Sequence, residues 1–135
     1  MSKFLLDSNA VSDCIFHRRG VDVRVRLARQ QGHLIGTAMP VMAELFGGLE
    51  YSQSRERNLQ VLNRSLSNFR MWPLTLDVAR EYGKLFAELR RTGRPIQVVD
   101  MLLAATARTL SNCIVVTTDS DLFAVPGLKV ENWAS

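Results

Sequence analysis

Short apolar runs alternate with longer segments of helical periodicity along this 135-residue chain, and this alternation constrains the fold more than any other feature. Continuous short apolar runs are typical of strands that are buried on both faces of a sheet. Strands separated by helices are joined by right-handed crossovers into a parallel sheet. The sequence therefore predicts an α/β fold with a central parallel sheet of about five strands and helices on both faces. The predicted strands are residues 4–6, 34–37, 71–74, 114–116 and 128–130. The predicted helices are residues 8–16, 21–30, 41–51, 55–68, 77–91 and 97–110.

The composition describes one ordinary globular domain, which we expect to span residues 1–135. Hydrophobic residues make up 47% of the chain and charged residues 22%, as in most folded proteins. No apolar stretch approaches the roughly 18 residues of a membrane span, and the N-terminus lacks a signal-peptide pattern. We therefore expect a cytoplasmic protein without membrane association. Cys14 and Cys113 have no neighbours at metal-ligand spacing, so they are expected to be buried free thiols.

The chain is basic, with a net charge of +4 and a pI near 9.6. Arginine dominates the basic residues, since lysine occurs only at Lys3, Lys84 and Lys129. Guanidinium groups match the geometry of phosphate oxygens better than ammonium groups do. The charge favours a polyanionic partner such as a nucleic acid, and the alternative is a solvated surface rich in arginine.

Four carboxylates stand beside or inside the apolar runs, where a charge is normally excluded. Asp7 and Asp119 come just after the first and fourth predicted strands, and Glu44 and Asp100 interrupt apolar faces of two predicted helices. Burying an unpaired carboxylate is unfavourable, so such a group is normally paired, protonated or bound to a metal. We therefore expect each of these four acids to be paired, protonated or bound to a metal.

Convergence in one pocket is the most economical explanation. Sites in open parallel sheets form beyond the carboxyl ends of the strands, so Asp7 and Asp119 are expected to meet in such a crevice. Helix capping is the alternative for both, since Asp is a favoured N-cap residue. Glu44 and Asp100 fall at the spacing of buried helix faces, and their alternative is two separate buried salt bridges to arginine.

The available residue types favour metal-dependent chemistry. Only His17 and His33 could serve as histidine bases or zinc ligands, and both lie in polar, irregular surroundings. No glycine-rich phosphate loop of known type is present. Carboxylate oxygens suit Mg²⁺ or Mn²⁺, which can polarise a phosphate and activate water. The sequence thus predicts hydrolysis of phosphodiester bonds.

The order and spacing of these acids resemble those of a known family, the PIN-domain ribonucleases. Residues 5–9 (LLDSN) resemble the family's opening "LLDTN", and residues 43–48 (AELFGG) resemble its "xELxxG" helix. Asp100 with residues 103–105 (LAA) resembles the third acidic motif. Residues 116–133, from VTTDSDLF to the final tryptophan, resemble the C-terminal signature of VapC-type toxins. The resemblance covers almost the whole chain.

The resemblance implies a role for individual residues. Asp7, Glu44, Asp100 and Asp119 match the acidic quartet with which the family holds Mg²⁺ or Mn²⁺. Further candidates match positions near that quartet, with Asp121 as an alternative fourth acid: Asp121, Thr117, Ser8 and Asn9.

The resemblance also implies partners: an antitoxin of VapB type, a second copy of the chain in a homodimer, and a structured cellular RNA such as tRNA as substrate. Arg90, Arg91 and Arg94 precede Asp100 and are candidates for contacts with RNA phosphates. Their alternative role is favourable charge at the C-terminus of a helix.

Three other functions are weighed against an endoribonuclease toxin. A non-catalytic RNA-binding or scaffold protein of the same fold would be expected to lack one of the acids, and all four positions are filled. A phosphoacceptor domain needs an acceptor Asp after a middle strand and a lysine after a late one, and neither is present. DNA and flap nucleases of this family usually have longer chains and additional acids.

Overall fold

The sheet has five parallel strands in the computed structural model, which describes residues 1–135. The strands are β1 (Lys3–Leu6), β2 (Leu34–Ala38), β3 (Arg70–Trp72), β4 (Cys113–Val116) and β5 (Val130–Glu131). Their order is β3-β2-β1-β4-β5, and each neighbouring pair is parallel. The predicted α/β fold with a central parallel sheet is therefore confirmed.

Seven helices connect the strands. They are α1 (Ser8–Ile15), α2 (Val21–Gln30), α3 (Met39–Glu50), α4 (Arg55–Ser65), α5 (Leu76–Arg91), α6 (Val98–Thr109) and α7 (Ser120–Phe123). A 3₁₀ turn, Leu66–Asn68, follows α4. No helix is both long enough and apolar enough to cross a bilayer.

The differences from the predicted boundaries are small and have local causes. Helix α3 begins two residues earlier than predicted because Pro40 is tolerated in the first turn, where its missing N–H has no helical partner. Strand β3 ends at Trp72 because Pro73 has no N–H to donate to a ladder. Strand β5 starts only at Val130 because the Leu128 N–H is still engaged in a turn with the Val125 carbonyl, at 3.3 Å.

Two hydrophobic cores cover the two faces of the sheet. Successive side chains of a strand point to opposite faces, so Leu6 packs with α1, α2 and α4, and Leu5 packs with α5 and α6. Both leucines are fully buried. The predicted free thiols are confirmed, since Cys14 and Cys113 are buried and unbonded. Burial raises their pKa values to about 11 and about 12, so both thiols are protonated at neutral pH.

The register places the ends of two central strands side by side. Leu6 of β1 pairs with Val116 of β4, and the Asp7 N–H extends this ladder to the Val116 carbonyl at 3.1 Å. The Thr37 hydroxyl of β2 donates to the Leu6 carbonyl at 2.6 Å. The residues that follow these strands therefore meet at one edge of the sheet.

Candidate active site

Asp7 is the most enclosed of the four acids, with 6% of its surface exposed. It is the N-cap of α1, and its Oδ1 accepts a hydrogen bond from the Ala10 N–H at 2.8 Å. Its Oδ2 accepts a hydrogen bond from the Thr117 hydroxyl. Burial raises the pKa of Asp7, against the two hydrogen bonds that lower it, and the charges of Asp119 and Glu44 raise it further.

Thr117 joins two of the acids. It is 1% exposed, and while its hydroxyl donates to Asp7, its Oγ1 accepts the Asp119 N–H at 2.9 Å. Asp119 in turn is the N-cap of α7, and its Oδ1 accepts the Asp121 N–H at 2.9 Å. The buried threonine therefore fixes the loop between β4 and α7 against the start of α1.

Asp100 reaches the same edge from the first turn of α6 and is half-buried. Burial raises its pKa to about 6, and the charges of Asp119, Asp7 and Glu44 contribute in that order. Six side chains of α6 are buried. Asp100 is thus the residue of α6 whose carboxylate lies near the other acids.

Glu44 departs from the sequence prediction. We expected its side chain on the buried face of α3, but it is exposed, and Val41, Met42 and Leu45 form the buried face. The prediction from spacing was wrong because Glu44 lies at the margin of the buried face, where a small rotation of the helix exposes the side chain to solvent. Its charge nevertheless raises the pKa of both Asp7 and Asp100. The four predicted acids therefore lie within electrostatic reach of one another.

The two alternatives for these acids have different outcomes. Helix capping is correct for Asp7 and Asp119, which cap α1 and α7 while also facing the other acids. Separate salt bridges for Glu44 and Asp100 are wrong: neither residue, nor Asp7 or Asp119, has a cationic side-chain nitrogen within 4 Å. The chain leaves this group of carboxylates without a cation of its own.

The secondary candidates are distributed around this group. Ser8 begins α1 and is partly buried, whereas Asn9 is exposed and lines a small cavity with Thr117 and Trp133. Asp121 adjoins this group through its backbone, since its N–H donates to the Asp119 carboxylate, while its own carboxylate forms an ion pair with Arg94 at 3.3 Å.

The three candidate RNA-binding arginines are all exposed, and their environments differ. The Arg90 guanidinium lies 4.8 Å from the centre of the Phe86 ring, and Arg91 makes no ion pair. Both occupy the last turn of α5, where positive charge is favourable, so their alternative role is also satisfied. Only Arg94 contacts the α7 segment. No local sequence pattern indicates this contact, since the partners lie 27 residues apart.

The donor set suits a hard divalent cation, although the side chains do not enclose one. No three His, Cys, Asp or Glu side chains stand in an arrangement that would hold a metal ion as they are placed. All four donors are carboxylates, and burial together with their mutual repulsion raises the pKa of two of them. A divalent cation relieves such repulsion, and oxygen ligands are those that Mg²⁺ prefers. The four acids therefore provide the oxygen ligands that a divalent cation prefers, and they lie near one another.

The sequence itself matches the PIN domain family over residues 4–128. The tRNA(fMet)-specific endonuclease VapC of Shigella flexneri is 35% identical over 136 residues, covering 99% of this chain and 100% of that protein. The protein of the same description from Salmonella typhimurium is 29% identical and covers 98% of this chain and 99% of that protein. The chain therefore belongs to the PIN domain family and, within it, to the VapC-type ribonucleases.

Solved structures agree with this assignment. VapBC2 from Rickettsia felis, bound to a DNA fragment from its promoter, contains a chain that superposes with a TM-score of 0.88 at 27% identity, covering 97% of this chain and 98% of that chain. The DNA-bound VapBC of Salmonella typhimurium gives a TM-score of 0.85 at 27% identity, covering 99% and 100%. The resemblance recognised in the sequence is confirmed.

Proposed function

We propose that this chain is a divalent-metal-dependent endoribonuclease that acts as the toxin of a VapBC-type toxin–antitoxin pair. The observation that carries the proposal is the group of four carboxylates at the carboxyl edge of the sheet, which repel one another and have no arginine or lysine partner. A chain that uses acids only for structure would neutralise them. Four unneutralised acids are instead expected where a cation arrives from outside.

Asp7, Glu44, Asp100 and Asp119 would hold Mg²⁺ or Mn²⁺. When bound, such an ion supplies Lewis acidity toward a phosphodiester and lowers the pKa of a water molecule. The chain's own contribution is positioning. Thr117 holds the Asp7 carboxylate and the Asp119 backbone together, so these two acids keep their separation when the exposed Glu44 moves.

Transfer RNA is the proposed substrate, and initiator tRNA is its most specific form. The relatives from Shigella flexneri and Salmonella typhimurium are both described as tRNA(fMet)-specific, and both align along nearly the full chain. The four acids line none of the main cavities of the molecule, and single-stranded loops can present splayed bases and phosphates to a site at the edge of the sheet. The net charge of +4 favours approach of the polyanion.

A VapB-type antitoxin and a second copy of the chain are the proposed protein partners, and the cytoplasm is the proposed location. The support is the similarity to chains that occur in VapBC complexes, two of which were solved with DNA. An inhibitor that supplied a cation to the unpaired carboxylates would neutralise the group that the chain leaves charged.

The decisive experiment measures cleavage and metal binding separately. The purified chain is incubated with initiator and elongator tRNA transcripts in Mg²⁺, in Mn²⁺ and in chelator. We expect cleavage of the initiator tRNA that requires either metal. Thermal unfolding without RNA should show stabilisation by the metal, which amounts to about 2.7 kcal/mol at a hundredfold excess over Kd.

Undiminished cleavage in chelator would contradict the metal mechanism. RNA binding without cleavage in either metal would support the non-catalytic scaffold instead. Equal cleavage of both tRNAs would support the proposed nuclease activity and contradict the proposed specificity for initiator tRNA.

A further inference from the structure

The loop between α5 and α6 is joined to α7 by one ion pair beside the acidic group. The Arg94 Nη2 lies 3.3 Å from the Asp121 Oδ1, and both side chains are about half exposed, at 49% each. Asp121 is in the first turn of α7, and its N–H donates to the Asp119 carboxylate at 2.9 Å. Asp121 therefore links Arg94 to Asp119, which is one of the four acids.

The backbone of Arg94 is held in place by the end of α5. Gly93 has a φ of +68°, its N–H donates to the Arg90 carbonyl at 3.2 Å, and the Arg94 N–H donates to the Leu89 carbonyl at 2.9 Å. This pair of bonds is the Schellman arrangement that ends many helices. Pro95 follows with a restricted φ, so the guanidinium extends from a fixed point.

Arg94 keeps donors free for another anion. A guanidinium has five N–H donors, and one hydrogen bond to Asp121 is the only side-chain bond that Arg94 makes. Since the side chain is half exposed and makes no other hydrogen bond, it can still donate to a second anion. Two N–H donors on one edge of a guanidinium match the two oxygens of a phosphate group.

The acidic group needs such a cation for its substrate. Four carboxylates repel a phosphodiester, and the structure places no lysine or arginine against them. Asp121 is bonded to Arg94 and serves a different purpose from the neighbouring Asp119, which raises the pKa of Asp100. A carboxylate that holds an arginine at the rim orients that arginine toward an incoming phosphate.

We infer that Arg94 binds an RNA phosphate next to the scissile bond and that Asp121 is the positioning residue that holds its guanidinium there, rather than a fourth metal-binding acid. This inference rests on the proposed function. It assigns the two residues separate effects, since Arg94 contacts the substrate and Asp121 acts only through Arg94.

The chain offers a matched control in the Arg80–Asp77 pair. The Arg80 Nη1 also lies 3.3 Å from a carboxylate oxygen, Asp77 Oδ1, and both side chains are exposed. Arg80 lies eleven residues before the end of α5, which is roughly 16 Å along a helix with a rise of about 1.5 Å per residue. Exposed pairs of this kind contribute little to stability, so R94A and R80A should unfold alike.

The experiment measures RNA cleavage and RNA binding for R94A, D121N, the double variant and R80A. We expect R94A to raise KM about tenfold with a smaller change in kcat, and to reduce the salt dependence of RNA binding by about one unit of slope. D121N should raise KM by less, and the double variant should match R94A because the two residues act as one unit. R80A should resemble the unsubstituted chain.

Binding is measured on the same tRNA transcript in a D7N background, so that the result does not depend on cleavage. If the unsubstituted chain cuts no RNA, the proposed nuclease function fails, and the binding comparison of R94A with R80A still decides the role of Arg94. Equal binding by these two variants, or no RNA binding at all, overturns the inference. D121N that loses metal-induced thermal stabilisation while R94A keeps it would make Asp121 a metal ligand and overturn it as well.

Discussion

The charged residues at the two ends of helix α6 have opposite environments: one is paired with charges of the opposite sign, and the other lies near charges of its own sign. At its C-terminal end Arg108 is 16% exposed and contacts Glu88 at 3.0 Å and Glu81 at 3.5 Å. Its guanidinium also donates to the Pro126 carbonyl at 2.8 Å. At the N-terminal end Asp100 faces other carboxylates and no cation. One end of the helix is neutralised by the chain, and the other is left with excess negative charge.

The difference separates structural acids from functional ones. Arginine–carboxylate pairs of the Arg108 type let charged residues pack at the margin of a core, and removing the cation leaves acids without compensation. The acidic group around Asp100 carries that penalty permanently in the metal-free chain, as the raised pKa values show. Natural proteins accept such local destabilisation at functional sites. Substitutions at the two ends should therefore have opposite effects on stability and activity.

The largest expected effect comes from Asp7→Asn. Asparagine keeps a carbonyl oxygen for the Ala10 N–H, so the cap of α1 survives, but the negative charge is lost. We expect RNA cleavage to fall by at least roughly 100-fold, as for loss of a metal-binding group. Stability without metal should be unchanged or higher, since burial disfavours the ionised acid. Single-turnover cleavage and urea unfolding measure the two quantities.

The control is Glu88→Gln, which removes a carboxylate from the Arg108 cluster and should leave cleavage intact. If D7N cut RNA at the rate of the unsubstituted chain, Asp7 would have no role in the active site.

Arg108→Met is expected to act in the opposite sense. It leaves Glu88 without a cation and Glu81 with only Lys84, at 3.8 Å. The free energy of unfolding should therefore fall by about 1–2 kcal/mol, below the range for fully buried pairs because both glutamates are partly exposed. Cleavage by the folded fraction should not change. Urea unfolding is the measurement, and adding E81Q and E88Q should recover part of the loss. An unchanged unfolding midpoint would mean that this cluster contributes nothing.

Glu44→Gln should have a smaller effect than D7N, because Glu44 is exposed and reaches the other acids only by its charge. We expect cleavage to fall about tenfold with no change in stability. Glu50→Gln is the matched control: Glu50 is exposed on the same helix, but it pairs with Arg55 at 2.6 Å. Equal cleavage rates for the two variants would exclude Glu44 from the acidic group.

The smallest expected effect is the pH dependence of Asp100. In the folded chain burial and neighbouring charges raise its pKa from 3.8 to about 6. Its proton therefore favours folding: the contribution to stability is fully present below about 3.8 and is lost as the pH rises through about 6. In chelator, the advantage of D100N over the unsubstituted chain should grow from acidic to neutral pH. A difference that stays constant over this range would show that Asp100 titrates normally.

The site was predictable to the extent that its acids follow local landmarks. Asp7 and Asp119 come after strands, and parallel strands end at one edge, so their meeting followed from the pattern of strands. Asp100 was predictable because it interrupts a helix that is apolar on most sides. Glu44 was not, because a residue at the margin of an apolar stripe becomes buried or exposed according to a helix rotation that the stripe does not specify.

The sequence by itself determined the strands, the helices and the acids available at the edge of the sheet, because hydrophobic periodicity and turn residues act over a few neighbouring positions. Only the tertiary structure decided which charges are neutralised. Arg108 meets Glu81 and Glu88, Arg94 meets Asp121, and no arginine meets Asp7 or Asp100. Such pairings join residues that are distant in the chain, and they depend on how helices pack and rotate against one another, which no local pattern encodes.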